Sequence, residues 1–341
     1  MKKHTLALFL SAALVGSISA CSKNEPEPEP ENVKNTASTE DIKSDVKAEA
    51  AAVSEPLLEA PQETSPATIK GFASPESIAV HGDKLYISNI GAAAKPTEKD
   101  ADGFILVTDA MGNAEGAEKF EVDAYLHAPK GIMVWNDALY VTDINYIYGF
   151  DINDHSLVFA VEPGLQHPDD PQPQFLNDIA ALDDTSFFVS ATDTNTIYRI
   201  TNDFVPAIFK LETTAELKGP NGLHYDAESK MLYVAGWGTN EQNNGELGVI
   251  DMNTKPHTYT RLGDHNGRLD GLLKSGDKLI FSDWIDFENS GQLYSYDLNS
   301  KETTKLDSPV IGGPADFTLS ADGKNILVPS MLENKVAIIA Q

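Results

Sequence analysis

The chain has 341 residues, with 52 Asp and Glu against 25 Lys and Arg, giving a formal net charge of −27 at pH 7. So acidic a balance argues against nucleic acid as a partner and favours a soluble surface that attracts cations in a general way. The single cysteine, Cys21, excludes any intramolecular disulfide.

The first predicted element is a leader over residues 1–20. Lys2 and Lys3 precede an apolar run from Leu6 to Val15, and small residues follow up to Cys21. The run is too short to span a bilayer as a helix and has the layout of a secretory signal. Ile18-Ser19-Ala20-Cys21 resembles the bacterial lipobox, whose cysteine becomes the lipidated first residue. That resemblance implies a membrane anchor on Cys21. Ser22, where an inner-membrane retention signal has Asp, implies sorting to the outer membrane with the protein facing the periplasm. Cys21→Ser removes the only acyl acceptor and is expected to release the protein from the membrane fraction; a variant that still sediments with membranes would contradict the anchor. Residues 21–66 are rich in Pro, Glu, Ala and Ser, including the run Glu25-Pro26-Glu27-Pro28-Glu29-Pro30-Glu31. Such a segment buries too little apolar surface to offset chain entropy and is predicted to be a disordered tether. It carries a net charge of −7 between Ser22 and Thr68; with the leader's +2, that leaves −22 on the remainder.

From residue 67 to 341 the sequence repeats itself. Six short copies read Pro75-Glu76-Ser77-Ile78, Pro129-Lys130-Gly131-Ile132, Leu176-Asn177-Asp178-Ile179, Pro220-Asn221-Gly222-Leu223, Leu269-Asp270-Gly271-Leu272 and Pro314-Ala315-Asp316-Phe317. The second positions are 54, 47, 44, 49 and 45 residues apart. A second apolar strand follows each copy after a tight turn, as in Leu85-Tyr86-Ile87 after Gly82-Asp83, or Leu139-Tyr140-Val141 after Asn136-Asp137. Gly, Asn and Asp tolerate the positive φ of hairpin turns. Third strands are predicted at Phe104–Thr108, Ile147–Asp151, Ile197–Ile200, Leu247–Asp251, Leu293–Asp297 and Val336–Ala340. Units of about 45 residues with four short strands, and no helical period, predict an all-β fold: a six-bladed β-propeller with four antiparallel strands per blade. The first five units have a fourth strand, such as Leu157–Val161 or Thr258–Leu262, but the sixth ends at Gln341 after three. Ala67–Phe72 is placed to supply the missing one and close the last blade.

Equivalent positions of a closed repeat meet on its axis. The second column of the repeat is Glu76, Lys130, Asn177, Asn221, Asp270 and Ala315, so it predicts a ring of oxygen donors interrupted by one lysine and one alanine. Carboxylate and amide oxygens suit a hard divalent cation, whereas zinc or copper would call for Cys or clustered His. The Lys130 ammonium offers an alternative filling, paired with Glu76 where the cation would lie.

The order Glu, Asn, Asn, Asp in successive blades resembles the regucalcin/gluconolactonase family, with the paraoxonases as more distant relatives. Ser74-Pro75-Glu76-Ser77, Leu176-Asn177-Asp178, Gly219-Pro220-Asn221-Gly222-Leu223 and Leu269-Asp270-Gly271 carry the resemblance, which spans the propeller. It implies one divalent cation, calcium in most members, held by Glu76, Asn221 and Asp270, with Asn177 binding it or orienting substrate. It also implies a ring-opening hydrolysis of a lactone, with Asp270 activating water and Asn177 contacting a small-molecule substrate; Lys130, in the same ring, is expected from its position to contact that substrate too. Lys130 stands where the family has an uncharged residue, and the loops above the ring show no decisive catalytic signature. A lactone- or ester-cleaving hydrolase is therefore one expected function, and a non-catalytic propeller binding a protein or small ligand at its top face is the other. His167, His224 and His265 lie near top-face segments without diagnostic spacing. Trp237 and Trp284 occupy equivalent loop positions, suited to packing between blades or to walling a pocket. Asp264-His265-Asn266-Gly267 superficially follows a calcium loop, which Arg268 interrupts.

Overall fold

The computed structural model describes residues 68–110, 117–239 and 242–341. The expected leader, tether and lipidation cysteine Cys21 lie outside these residues.

The described strands form six four-stranded antiparallel sheets. The N-terminal strand β1 (Thr68–Lys70) comes first. Blade one is β2 (Pro75–His81), β3 (Lys84–Asn89), β4 (Phe104–Asp109) and β5 (Glu118–Lys119). Blade two is β6 (Pro129–Trp135), β7 (Ala138–Asp143), β8 (Tyr146–Asp151) and β9 (Leu157–Val161); blade three is β10 (Leu176–Asp183), β11 (Ser186–Ala191), β12 (Thr196–Thr201) and β13 (Ile208–Lys210). Blade four follows as β14 (Pro220–Asp226), β15 (Met231–Gly236), β16 (Gly245–Asp251) and β17 (Thr258–Gly267), and blade five as β18 (Leu269–Ser275), β19 (Lys278–Asp283), β20 (Gln292–Asp297) and β21 (Thr303–Lys305). Blade six takes β22 (Thr318–Leu319), β23 (Asn325–Ser330) and β24 (Lys335–Ala340) from the C-terminus and its outer strand from β1, in the order β22-β23-β24-β1. Closure by the N-terminal strand is thus as the strand count requires. The strand is shorter than the predicted Ala67–Phe72, because Gly71 has φ +105° and turns the chain inward, sending Phe72 into the core. The outer strand of blade four runs past the predicted Leu262 to Gly267, and Asn266 and Gly267 pair with Glu246 and Gly245. The calcium-loop-like segment is therefore strand edge.

Hairpin chemistry follows the sequence. Asn136 and Asp137, between β6 and β7, have φ of 49° and 59°, the conformation that matches a two-residue turn to the right-handed twist of its strands. Apolar residues of neighbouring blades interdigitate: Trp135, Tyr140 and Phe159 of blade two meet Phe187 of blade three with ring centroids 5.4–5.8 Å apart. Such edge-on and tilted pairs add to the burial of each ring.

One repeated device positions the axis. In each of the first five blades the ladder between the inner two strands skips register inside the repeat copy, between Pro75 and Ile78, Pro129 and Ile132, Leu176 and Ile179, Pro220 and Leu223, and Leu269 and Leu272. The second residue of each copy falls in this bulge, which re-aims it out of the ordinary alternation. A hydroxyl on the second strand fixes the bulge. Ser190 Oγ accepts from Asp178 N (2.9 Å) and donates to Asn221 O of the next blade (2.7 Å). Ser88 does the same between Ser77 N (3.0 Å) and Lys130 O (2.6 Å), and Thr142 donates to Asn177 O.

Candidate functional site

The third column of the repeat sets how closely the inner strands approach. A Cβ on Gly222 would stand 2.1 Å from Asp270 O, and one on Gly131 would stand 2.4 Å from Asn177 O. Packing of successive blades thus accounts for Pro-Asn-Gly-Leu and Pro-Lys-Gly-Ile without any chemistry. Where the column is Asp, the carboxylate ties neighbours together. Asp178 accepts from Ile179 N and Leu223 N, both at 2.6 Å, and Asp316 accepts from Ser77 Oγ at 2.6 Å. Asp316 N also donates to Glu76 O at 3.0 Å, joining blade six to blade one.

Above this layer a cavity of about 640 Å³ opens, and Glu76, Lys130, Asn177, Asn221 and Asp270 all line it. These five side chains are at most 4% exposed. Ala315, the sixth member of the column, is fully buried, and its methyl group offers no donor. The structure therefore brings together every proposed metal and substrate residue of the propeller.

Four of the five present an oxygen with no hydrogen-bond partner: Glu76 Oε2, Asn177 Oδ1, Asn221 Oδ1 and Asp270 Oδ1. Buried polar atoms are almost always paired, and each one left bare costs about 1–3 kcal/mol. Four together in one cavity mark a place for a ligand that accepts lone pairs. The other oxygen of Asp270, Oδ2, is held by Trp284 Nε1 at 2.8 Å. This bond fixes which way the Asp270 carboxylate faces.

The electrostatics point the same way. Burial first, then the charges of Asp270 and Asp316, push the Glu76 carboxyl well above the usual carboxylate range; Lys130 acts against them. Asp270 is pushed up to about 8, again by burial first and then by Asp316, against the Trp284 hydrogen bond. Carboxylates crowded together and largely removed from bulk solvent favour either protons or a cation. Among the described residues no three His, Cys, Asp or Glu side chains form a metal-ligating group. The donors on the cavity floor are two carboxylates and two amides, an all-oxygen set that fits calcium or magnesium and not zinc.

Lys130 makes no ion pair with Glu76 among the described residues. Its Nζ donates to Ala128 O at 3.0 Å and lies 4.6 Å from the centre of the Phe175 ring, and burial lowers its pKa to about 8. The histidines stand elsewhere: His265 Nε2 is 2.8 Å from Asp283 Oδ2, His167 Nε2 contacts Ile208 O, and none lines the cavity. Trp237 and Trp284 do line it, with ring centroids 5.3 Å apart and Phe287 beside both. Their equivalent loop positions were the one sign of this in the sequence; the hydrogen bond from Trp284 to Asp270 left none.

The fold and site together define a six-bladed propeller with an oxygen-lined axial cavity. No protein-family model matches the sequence, and no curated protein does. Among solved structures the chain is similar to streptogramin B lyase, with a TM-score of 0.52 and 16% identity, covering 80% of this chain and 96% of that one. It is also similar to catalytically inactive virginiamycin B lyase from Staphylococcus aureus with quinupristin, at TM-score 0.51 and 17% identity over 81% and 99% of the two chains. A chain of a nidogen/laminin complex matches at TM-score 0.50 and 16% identity over 68% and 78%. Identities this low establish a shared fold and nothing of the chemistry.

Proposed function

We propose that this protein is a divalent-cation-dependent hydrolase of lactones or related esters, held to the periplasmic side of the outer membrane by a lipid on Cys21. The observation that carries the site is the set of four partnerless oxygens, on Glu76, Asn177, Asn221 and Asp270, lining one buried cavity. These residues would hold one cation, with calcium the best match to the donors. A bound cation there supplies a Lewis acid for the carbonyl and a more acidic water.

The chain's own groups do the rest. Trp284 anchors Asp270 through Oδ2, which leaves Oδ1 among the donors to the cation, where it would orient and help to deprotonate the attacking water that the cation makes more acidic. Lys130, held by Ala128 O and the face of Phe175, sets a fixed positive charge in the cavity wall beside Glu76. There it binds the carbonyl side of the substrate, together with Asn177. The test is hydrolysis of a panel of γ- and δ-lactones and aryl esters with calcium or with a chelator. Turnover that chelator abolishes and calcium restores is expected, and Asp270→Asn should lower it by about 10²-fold or more. Chelator-insensitive turnover would overturn the cation's role. Calcium binding without turnover on any member of the panel would leave the non-catalytic ligand-binding propeller instead.

A further inference from the structure

The cavity has a polar floor and a collar rich in apolar side chains, and several of the collar's polar groups are engaged in holding loops. Thr192 Oγ1 donates to Pro220 O at 2.8 Å, and Asn195 Oδ1 accepts from Gly219 N at 2.8 Å. Thr239 Oγ1 accepts from Asn244 Nδ2 at 3.2 Å, and Asp193 Oδ2 accepts from Gln174 N at 2.7 Å. The indole N–H of Trp284 is taken by Asp270. These bonds spend acceptors and donors on holding the loops in place; the polar groups left toward a ligand are scattered, among them the Asn195 amide, the Trp237 indole N–H and Glu216, exposed at the rim.

What the collar offers instead is carbon. Trp237 is half-buried, Phe287 is 63% exposed, and with Trp284 they form an edge-to-face cluster braced from outside by Arg268, 4.8 Å from the Phe287 ring centre. Ile90 and Met331 line another part of the collar and pack with Ala128 and Ile144. A polyhydroxylated ligand would lose its water here with little in return, whereas an apolar one gains by leaving water.

We propose that the site selects a substrate with an apolar body, an uncharged alkyl- or aryl-substituted lactone or ester, and that Trp237 and Phe287 are the residues that select it. The reacting group rests on the hydrolase reading above; the preference for an apolar body rests on the collar alone.

The experiment separates the two by using lactams, which resist ring opening. An alkyl-substituted δ-lactam and a polyhydroxylated δ-lactam are titrated into the purified protein by calorimetry, with and without calcium, and calcium is titrated separately. The alkyl lactam is expected to bind at least about tenfold more tightly than the polyhydroxylated one, and Trp237→Ala to weaken it about tenfold. Phe287→Ala, at a more exposed position, gives a second reading should Trp237→Ala melt early. Equal or reversed preference, no binding of either lactam, or alkyl-lactam affinity unchanged in both variants would overturn the proposal. Failure of calcium to bind would sink the cation-dependent hydrolase, while the lactam preference would still be read in calcium-free protein.

Discussion

Calcium at a hundredfold excess over its Kd is expected to raise the stability of the protein by about 2.7 kcal/mol, and Asp270→Asn to cancel most of that gain. A ligand bound only by the native state adds to the free energy of unfolding, and for a domain of this size the rise in Tm is about 5 °C. The reason to expect a large response is the donor set itself. Glu76 and Asp270 are buried, each is raised by the charge of Asp316, and four oxygens lack partners. A cation answers all of these at once. Asp270→Asn keeps the shape and the contact to Trp284 but removes a full negative charge from the donor set. Calorimetric melting of wild type and variant, with calcium and with chelator, reads the effect. If Lys130 fills the place of the cation instead, calcium will leave Tm unchanged, and Lys130→Ala, not chelator, will destabilise the protein.

Most of the fold was legible because a propeller writes its architecture six times. The Pro-x-Gly copies, the Asn136-Asp137 turn and the missing fourth strand of the last unit each have a local physical cause that needs no knowledge of distant contacts. The floor of the cavity was legible for the same reason, since repeat symmetry brings Glu76, Lys130, Asn177, Asn221 and Asp270 to one axis. The walls were not. The loops that join the second and third strands of a blade vary in length and path, so the contact of Trp284 Nε1 with Asp270 Oδ2, fourteen residues away in the same blade, depends on the path of one loop. The direction of Lys130 was equally hidden. Its ammonium turns to Ala128 O and lies over the ring of Phe175, a residue of the connection that leads into blade three. Sequence pattern places a residue on the axis; only neighbours outside the pattern decide where a long side chain points.

Closure of the ring makes the second large effect. Removing residues 1–66 is expected to leave Tm unchanged, whereas removing residues 1–74 should unfold the propeller or lower its Tm severely. The second truncation takes away β1, whose backbone pairs Thr68 with Ala337, Ile69 with Val336 and Lys70 with Lys335, and so bares the edge of β24. It also removes Phe72, 7% exposed and packed in one cluster with Ile78, Leu85, Leu327 and Val336, residues of blades one and six. Loss of a buried Phe side chain alone costs about 3–5 kcal/mol, against a typical total stability of about 5–15 kcal/mol. The same segment sews the two blades by hydrogen bonds: Ser74 N donates to Asn334 Oδ1 at 2.7 Å, Ala73 N to Asn89 Oδ1 at 3.0 Å, and Ile90 N to Ser74 O at 3.0 Å. Phe72→Ala in the full chain separates the two contributions, because it keeps the strand and removes only the anchor. Scanning calorimetry of the two truncations and this variant should give Tm values in the order residues 67–341, then Phe72→Ala, then residues 75–341. Equal Tm for the two truncations would mean that three strands suffice for blade six and that the ring is held shut by its inner strands alone, through contacts such as Asp316 N to Glu76 O.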